Sequence, residues 1–371
     1  MIDNRASKIP LRRSRLPPAD ELLPYLRRID AAQWYTNFGA LVREFESRLA
    51  RHFGVAAEEV VTVANGTLGL VGALQAQGVT PGKLCLIPSY TFAATPAAAI
   101  AAGLNPYFVD VSRETWALEL DTAEAAMRQL GGQVAAVMPV SPFGAPIDAA
   151  AWDDFSARHG VNVVVDAAGA VDTLKPGRVP AMVSLHATKV LGVGEGGLVV
   201  ARDPELITRI RRCSNFGFEA WHTGKGALEA GGNFKMSEYT AAVGHAVLDA
   251  WPKTRETVIS LAKTYRDALN SIPGIRQMNW FGRQGGAYCA VELAEPNGER
   301  VVQQLELLGI ESRLWWGRPC HRHPAYARFG HGDLANTEWL VPRVLSLPFY
   351  PELSKADVLR IRDALAKVLS S

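Results

Sequence analysis

Short apolar runs alternate with helical patterns through the first half of the chain, and this alternation constrains the fold more than any other feature. The clearest runs are residues 60–63, 84–88 and 161–165. Strands that are apolar on both faces are typical of parallel sheets covered by helices on both sides. The pattern therefore predicts an α/β fold with a doubly covered, mostly parallel sheet.

Helical spacing and a change of pattern suggest two domains. Leu41, Phe45 and Leu49 lie four residues apart, which predicts an amphipathic helix over residues 40–52. Farther along, the pattern predicts one helix over 237–251 that ends before Pro252 and a second helix over 254–270. We therefore expect a large domain over residues 1–251 and a smaller one over 252–371.

Charge and cysteine content narrow the class of protein. With 39 basic and 37 acidic residues the net charge is +2, which argues against a general affinity for nucleic acid or anionic membranes. Four widely spaced cysteines and the lack of an apolar leader favour a soluble cytoplasmic enzyme. We interpret the cluster of basic residues near the start as a solvated arm. It comprises Arg5, Lys8, Arg12, Arg13 and Arg15.

The first candidate site is Asn65-Gly66-Thr67, between a predicted strand and a predicted helix. The start of a helix offers free backbone amides and the positive end of its dipole, so a phosphate binds there readily. Gly66 would let the backbone approach the phosphate, and Thr67 would add a hydroxyl. Simple capping of the helix by Asn65 is the alternative.

Two further residues have the character of catalytic groups. Asp166 ends an apolar strand, where ligands of open α/β sheets bind, and it could hold a cationic ring nitrogen, a metal or a ribose. Capping of the next segment is its alternative role. Lys189 lies between an apolar strand and a glycine turn, with small neighbours that leave space beside its amine. Such an amine can form a Schiff base, whereas an ordinary solvated turn lysine is the alternative.

Two other patterns resemble known motifs without their context. Gly192, Gly194 and Gly197 match a dinucleotide-binding spacing, but the residues after them favour a strand instead of the required helix. Residues 320–323 read Cys-His-Arg-His, yet no second cluster stands at ligand spacing, so we predict no metal site.

Taken in order, these segments resemble the DegT/StrS family of pyridoxal-phosphate (PLP)-dependent sugar aminotransferases over nearly the whole chain. Residues 313–317, with the Asn65 and Lys189 segments, are most similar to transaminases that make dTDP-4-amino-4,6-dideoxyglucose. The matching blocks are residues 65–67, 88–95, 166–168, 184–189 with 194–197, and 232–237, followed by Leu347-Pro348.

The resemblance implies a fold, an assembly and a set of roles. The fold is the type I PLP-dependent aminotransferase fold, with a mixed, mostly parallel seven-stranded sheet in the large domain and a smaller α+β C-terminal domain. The assembly is a homodimer with shared active sites. Lys189 would bind the cofactor covalently and move the proton, and Asp166 would pair with the pyridinium nitrogen. The other implied cofactor contacts are Phe92 on the ring, Gly66, Thr67 and Ser184 on the phosphate, and Asn233 from the partner subunit.

The implied reaction transfers an amino group, with glutamate as donor, to a nucleotide-linked keto-sugar such as dTDP-4-keto-6-deoxyglucose. Gly169 departs from the family, which usually has Gln or His there against the cofactor ring. A PLP-dependent sugar dehydratase and a non-catalytic sensor on the same fold are the alternatives. Dehydratases of the family replace the lysine by histidine, and this chain keeps Lys189. Candidate contacts for the sugar or diphosphate are Arg313, Trp315, Trp316, His321 and Lys235.

Overall fold

The computed structural model describes residues 8–219, 226–284 and 286–370. Its strands include the apolar runs noted above and further short segments in both halves of the chain. The strands are β1 Val60–Val63, β2 Leu84–Pro88, β3 Asn105–Val109, β4 Val134–Val137, β5 Asn162–Val163, β6 Val165–Asp166, β7 Ala181–Ser184, β8 Gly197–Val200, β9 Ile275–Gln277, β10 Cys289–Leu293, β11 Arg313–Leu314 and β12 Val344–Leu347.

The large sheet is continuous through the strand that ends on Asp166. Two four-stranded groups, in the order β3-β2-β4-β5 and β6-β7-β8-β1, meet because only Val164 separates β5 from β6. Val140 also bridges Asp166 in parallel, which extends the pairing of β4. Counting β5 and β6 as one strand gives seven strands in the described ranges, and only β8 runs antiparallel to its neighbours. The predicted mixed, mostly parallel sheet is confirmed.

Helices cover both faces of this sheet and complete the second half of the fold. Residues 40–52 form a helix as predicted, with one further residue at its end. The helices are α1 Ala19–Ala32, α2 Ala40–Phe53, α3 Gly66–Ala76, α4 Ala94–Ala101, α5 Leu120–Leu130, α6 Ala149–His159, α7 Pro204–Cys213, α8 Glu238–Leu269, α9 Gly298–Leu307, α10 Ala335–Leu340 and α11 Lys355–Ser370.

Alternate residues of each large-sheet strand enter different cores, as a strand buried on both faces requires. Val163 and Val165 pack with α1, α2, α5, α6 and the first half of α8. Val164, between them, packs on the opposite face with α3, α4 and α7. The apolar runs are continuous because neither face of the sheet meets water.

A smaller antiparallel sheet, in the order β11-β12-β10-β9, organises the second half of the chain. Its core is a separate cluster that includes Val291, Leu345 and Ile361, against which α9, α11 and the second half of α8 pack. Within the described ranges, no helix is both long and apolar enough to cross a lipid bilayer.

The prediction that a helix ends before Pro252 is wrong, because α8 is one helix of 32 residues that runs through this proline. Leu248 and Trp251 are buried in the large-sheet core, and Val258 and Leu261 are buried in the small-sheet core. The stabilisation from burying apolar residues in both halves of α8 exceeds the cost of the hydrogen bond that Pro252 cannot donate. The domain boundary at residues 251–252 stays a prediction, and it falls inside this helix.

Candidate active site

One cavity of ≈ 300 Å³ lies beside the carboxyl end of the strand that carries Asp166. It brings together residues that are more than a hundred positions apart in the sequence. A larger open groove of ≈ 930 Å³ around His52, Lys175 and Arg255 contains none of the predicted site residues. The predicted residues that line the smaller cavity are Gly66, Thr67, Phe92, Asp166, Ser184, Lys189, Trp315 and Trp316.

The start of α3 forms one end of this cavity. Asn65 caps the helix, since its Oδ1 accepts a hydrogen bond of 2.9 Å from the amide of Leu68. The amides of Gly66 and Thr67 belong to the first turn, which has no intrahelical acceptors. Capping and anion binding are therefore compatible here. A Cβ on Gly66 would lie 2.8 Å from the sulfur of Met182, so a larger residue here would require the Met182 side chain to move.

Asp166 is the buried acid of the cavity, with 5% of its surface exposed. Its Oδ2 accepts a 2.8 Å hydrogen bond from the hydroxyl of Thr95, and its Oδ1 accepts one of 3.2 Å from the amide of Ala168. Burial raises the pKa of this carboxyl above its ordinary value, whereas these two hydrogen bonds and the charge of Lys189 act in the opposite direction. A cation bound against Asp166 would favour the ionised form.

Lys189 projects into the same cavity from the turn between β7 and β8. The turn is closed by a 2.8 Å hydrogen bond from the Lys189 amide to the carbonyl of His186. The Lys189 Nζ donates a 2.9 Å hydrogen bond to the hydroxyl of Tyr288 on the neighbouring segment. The half-buried amine therefore faces this cavity, whereas an ordinary turn lysine would face solvent. The glycine turn leads directly into β8, so the rejected dinucleotide motif lacks its helix.

Two residues beside Lys189 were not identified from the sequence as site residues. Tyr288 lines the cavity, and the guanidinium of Arg12 lies 3.7 Å from the centre of its ring. The interpretation of Arg12 as part of a solvated arm is wrong, because it packs on Tyr288 and donates hydrogen bonds to two backbone carbonyls. Arg5, in the same cluster, lies outside the described residues.

An aromatic wall completes the cavity. The Trp316 ring stacks on Phe143 with centroids 4.8 Å apart and planes at 7°. The hydroxyl of Tyr90 donates a 2.7 Å hydrogen bond to the carbonyl of Trp315. The tryptophans therefore both pack against neighbouring aromatic residues and line the cavity.

Gly169 lies under this wall, and the structure gives a reason for its departure from the family. A Cβ at this position would lie 3.1 Å from the amide nitrogen of Gly144 and 3.4 Å from the carbonyl carbon of Phe143. A Cβ on Gly144, whose φ is +86°, would in turn lie 2.4 Å from the carbonyl oxygen of Gly169. The backbone of residues 143–144 thus lies tightly against the place where any side chain at residue 169 would begin.

We expect Gly169→Ala to lower the free energy of unfolding by about 1 kcal/mol or more, because the added methyl group meets backbone atoms that cannot rotate away. Gly132→Ala is the matched control, since a Cβ there meets no atom within 4 Å. Chemical denaturation of both variants checks this difference. Equal stability of the two variants would show that the 143–144 segment adjusts to a side chain.

Four predicted residues lie elsewhere in a single chain. Asn233 is exposed, and Arg313 lies on β11 with its guanidinium 5.3 Å from the Trp315 ring. The Lys235 amine lies 4.7 Å from the Phe216 ring centre, and burial lowers its pKa. His321 lies between the Ser89 hydroxyl at 2.8 Å and the Glu338 carboxylate at 2.9 Å. None of these four lines the cavity within the described part of the chain.

The cavity has the groups that a phosphorylated pyridine aldehyde requires. First-turn amides and the hydroxyls of Thr67 and Ser184 suit a phosphate, and at Gly66 no side chain stands between these amides and the cavity. The buried carboxylate of Asp166 suits a protonated ring nitrogen, and Lys189 supplies the amine. The residues present therefore fit PLP.

Comparisons with known proteins agree with this chemistry. Residues 19–366 match the model of the DegT/DnrJ/EryC1/StrS aminotransferase family. A dTDP-4-amino-4,6-dideoxy-D-glucose transaminase of Shigella dysenteriae is 31% identical, over 93% of this chain and 94% of that protein.

Solved structures show the same fold. A putative PLP-dependent aminotransferase from Bacillus cereus has a TM-score of 0.89 and 32% identity, and covers 97% of this chain and 100% of its own. The structure of DesI in the presence of its TDP-sugar product has a TM-score of 0.86 and 33% identity, over 97% of this chain and 93% of its own. The chain therefore belongs to the DegT/DnrJ/EryC1/StrS aminotransferase family and is a PLP-dependent aminotransferase.

Proposed function

We propose that this enzyme transfers an amino group from glutamate to a nucleotide-linked keto-sugar, with dTDP-4-keto-6-deoxyglucose as the first candidate. The observation that carries the proposal is the single cavity shared by Lys189, Asp166 and the anion cradle at Gly66. The sugar part is supported by similarity to the Shigella transaminase and to DesI, whose structure was determined with a TDP-sugar product.

Each residue of the cavity has a proposed part. Gly66, Thr67 and Ser184 would bind the cofactor's phosphate, Phe92 would stack on its ring, and Asp166 would hold its ring nitrogen in the protonated form. When bound, PLP supplies an electron sink for the bonds at the reacting carbon. The Lys189 amine, freed by the amino donor, would take a proton from the donor's α-carbon and deliver it to the cofactor carbon on the other side of the amino nitrogen, first as base and then as acid.

The acceptor sugar would lie against the aromatic wall. Trp315 and Trp316 line the cavity, and the Arg313 guanidinium lies 5.3 Å from the Trp315 ring, where it could meet a diphosphate. Lys235 and His321 remain candidates through the resemblance alone, since neither lines the cavity in one chain.

A homodimer would complete this site. Asn233 is exposed away from the cavity of its own chain, as a residue that reaches a partner's cofactor would be. Large aromatic side chains are also exposed, namely Trp34 at 53%, Phe92 at 59% and Tyr239 at 48%. Exposed apolar side chains of this size favour an interface, and Phe92 lines the cavity itself. We place the enzyme in the cytoplasm, where its four free, buried cysteines would stay reduced.

We expect purified protein loaded with PLP to be yellow and to bleach when glutamate is added, because the bound cofactor takes up the amino group and the keto acid leaves. The bleached enzyme should then convert one of the dTDP-, UDP- or GDP-linked keto-sugars to a product whose mass shows the new amine. Persistent colour with glutamate would contradict glutamate as donor. Bleaching followed by amination of none of these sugars would contradict the sugar acceptor.

A further inference from the structure

We infer that Tyr288 is a catalytic residue that holds the reacting amine of Lys189, and that Arg12 is the positioning residue of Tyr288. The inference rests on the proposed role of Lys189 as the cofactor-bearing residue. It adds two residues that no sequence motif of the chain identifies.

The contact of Tyr288 with Lys189 is direct and lies inside the cavity. The Lys189 Nζ donates a hydrogen bond of 2.9 Å to the phenol oxygen. Both side chains line the cavity that contains Asp166. The Tyr288 ring is fixed on two sides by edge contacts with Phe143 and Trp315, whose centroids lie 5.9 Å away. The phenol oxygen is thus held at the atom that would carry the cofactor.

Arg12 connects the two segments that carry this pair. Its guanidinium lies 3.7 Å from the centre of the Tyr288 ring. It donates a hydrogen bond to the carbonyl of Thr188, the residue before Lys189, and one of 2.7 Å to the carbonyl of Ala287, the residue before Tyr288. Arg12 therefore fixes the spacing of the two segments as well as adding a positive charge.

Two cations act on the phenol in the described part of the chain, Lys189 and Arg12. Burial raises the pKa of Tyr288, but the two positive charges and the hydrogen bond from Lys189 lower it by more, so the net shift is downward. Burial lowers the pKa of the Arg12 guanidinium, and the charge of Tyr288 acts in the opposite direction.

This arrangement has a chemical consequence at the Lys189 nitrogen. Whenever that nitrogen carries a proton, the phenol oxygen accepts an N–H hydrogen bond from it. After Lys189 has taken a proton from the donor's α-carbon, Tyr288 would keep the ammonium directed into the cavity until the proton is returned. Until then the proton stays on the Lys189 nitrogen, and Tyr288 neither gains nor loses a proton.

The first test uses protein without cofactor. Alkaline titration of tyrosine absorbance in the wild type, minus the same curve for Tyr288→Phe, isolates one of nine phenols. We expect it to titrate below the ordinary value of about 10. Arg12→Gln should move the titration midpoint of Tyr288 to higher pH, and Arg12→Lys should largely restore the wild-type midpoint. Arg13→Gln should leave it unchanged, because the Arg13 guanidinium lies over Tyr350 instead. The positioning role of Arg12 is overturned if the Tyr288 phenol titrates at the ordinary pH, or if Arg12→Gln leaves its titration midpoint unchanged.

The second test uses protein loaded with PLP. In Tyr288→Phe we expect the pH midpoint of the cofactor absorbance change to fall, because the protonated Lys189 nitrogen loses its acceptor. We also expect kcat to fall about 10- to 100-fold, as for loss of a hydrogen bond to a charged group. An unchanged midpoint in a coloured Tyr288→Phe protein overturns only this inference. Covalent cofactor in Lys189→Ala would instead overturn the proposed function beneath it.

Discussion

Replacing Lys189 by alanine is expected to reduce amination by about 10⁴-fold or more, because one amine supplies both the covalent attachment and the proton transfer. The protein should still fold, since Lys189 lies in a turn at the cavity and belongs to none of the three apolar cores described above. Product formation followed by mass measures the effect, and absorbance shows whether covalent colour is lost.

Lys263→Ala is the matched control for this substitution, because Lys263 is exposed on α8. It should keep both the colour and the activity of the wild type. Turnover at a normal rate by Lys189→Ala would rule out the assignment of this lysine.

Replacing Asp166 by asparagine is expected to lower kcat by about 10²- to 10³-fold, the usual effect of removing one aligned charge from an active site. The neutral amide would keep the hydrogen-bond geometry toward Thr95 but would not hold a protonated ring nitrogen. A rate equal to that of the wild type would show that the ionised carboxylate is not required.

Asp166→Asn should make the protein without cofactor more stable, although it lowers kcat. Burial raises the folded-state pKa of Asp166 above its unfolded value. The contribution of this carboxyl to the stability of the fold therefore becomes unfavourable as pH rises through these two pKa values. At neutral pH, Asp166→Asn should therefore unfold at a higher temperature than the wild type, and the difference should disappear in acid. Asp267→Asn, at an exposed site on α8, should show no such gain. A lower unfolding temperature for Asp166→Asn would contradict burial as the dominant influence.

The sequence indicated the sheet and the central acid and lysine because these residues follow a local rule. Asp166 ends an apolar strand and Lys189 follows another, and the ends of neighbouring strands in one sheet meet at the same edge. Their meeting in one cavity therefore follows from the order of the elements. The resemblance added the proposed ring contact of Phe92 and the proposed phosphate contact of Ser184, which local patterns do not indicate.

Tyr288 and Arg12 could not be found in this way, because their roles arise from contacts across the fold. Tyr288 is 99 residues from Lys189, and Arg12 is 176 residues from the Thr188 carbonyl that it contacts. In the sequence, Arg12 is one member of a basic cluster, and nothing local distinguishes it from Arg13. Charged residues in a segment before the first helix are usually solvated, so the sequence position of Arg12 gave no reason to place it in the site.

Pro252 shows how tertiary packing overrides a local signal. A proline inside a helix removes one hydrogen bond, which predicts a break in a chain considered by itself. Here the residues on either side are held by two different cores, so the helix continues. A pattern of apolar residues alone does not show that two cores lie along one helix.

In the proposed site, the Lys189 amine binds the cofactor covalently while Asp166 holds the far side of its ring. Borohydride reduction of the PLP-loaded enzyme, followed by proteolysis and mass spectrometry, tests the attachment most directly. We predict the pyridoxyl mass on the peptide that contains Lys189 and on no other lysine peptide. The same mass on Lys235, which is buried outside the cavity, or its absence from a coloured protein would contradict the account.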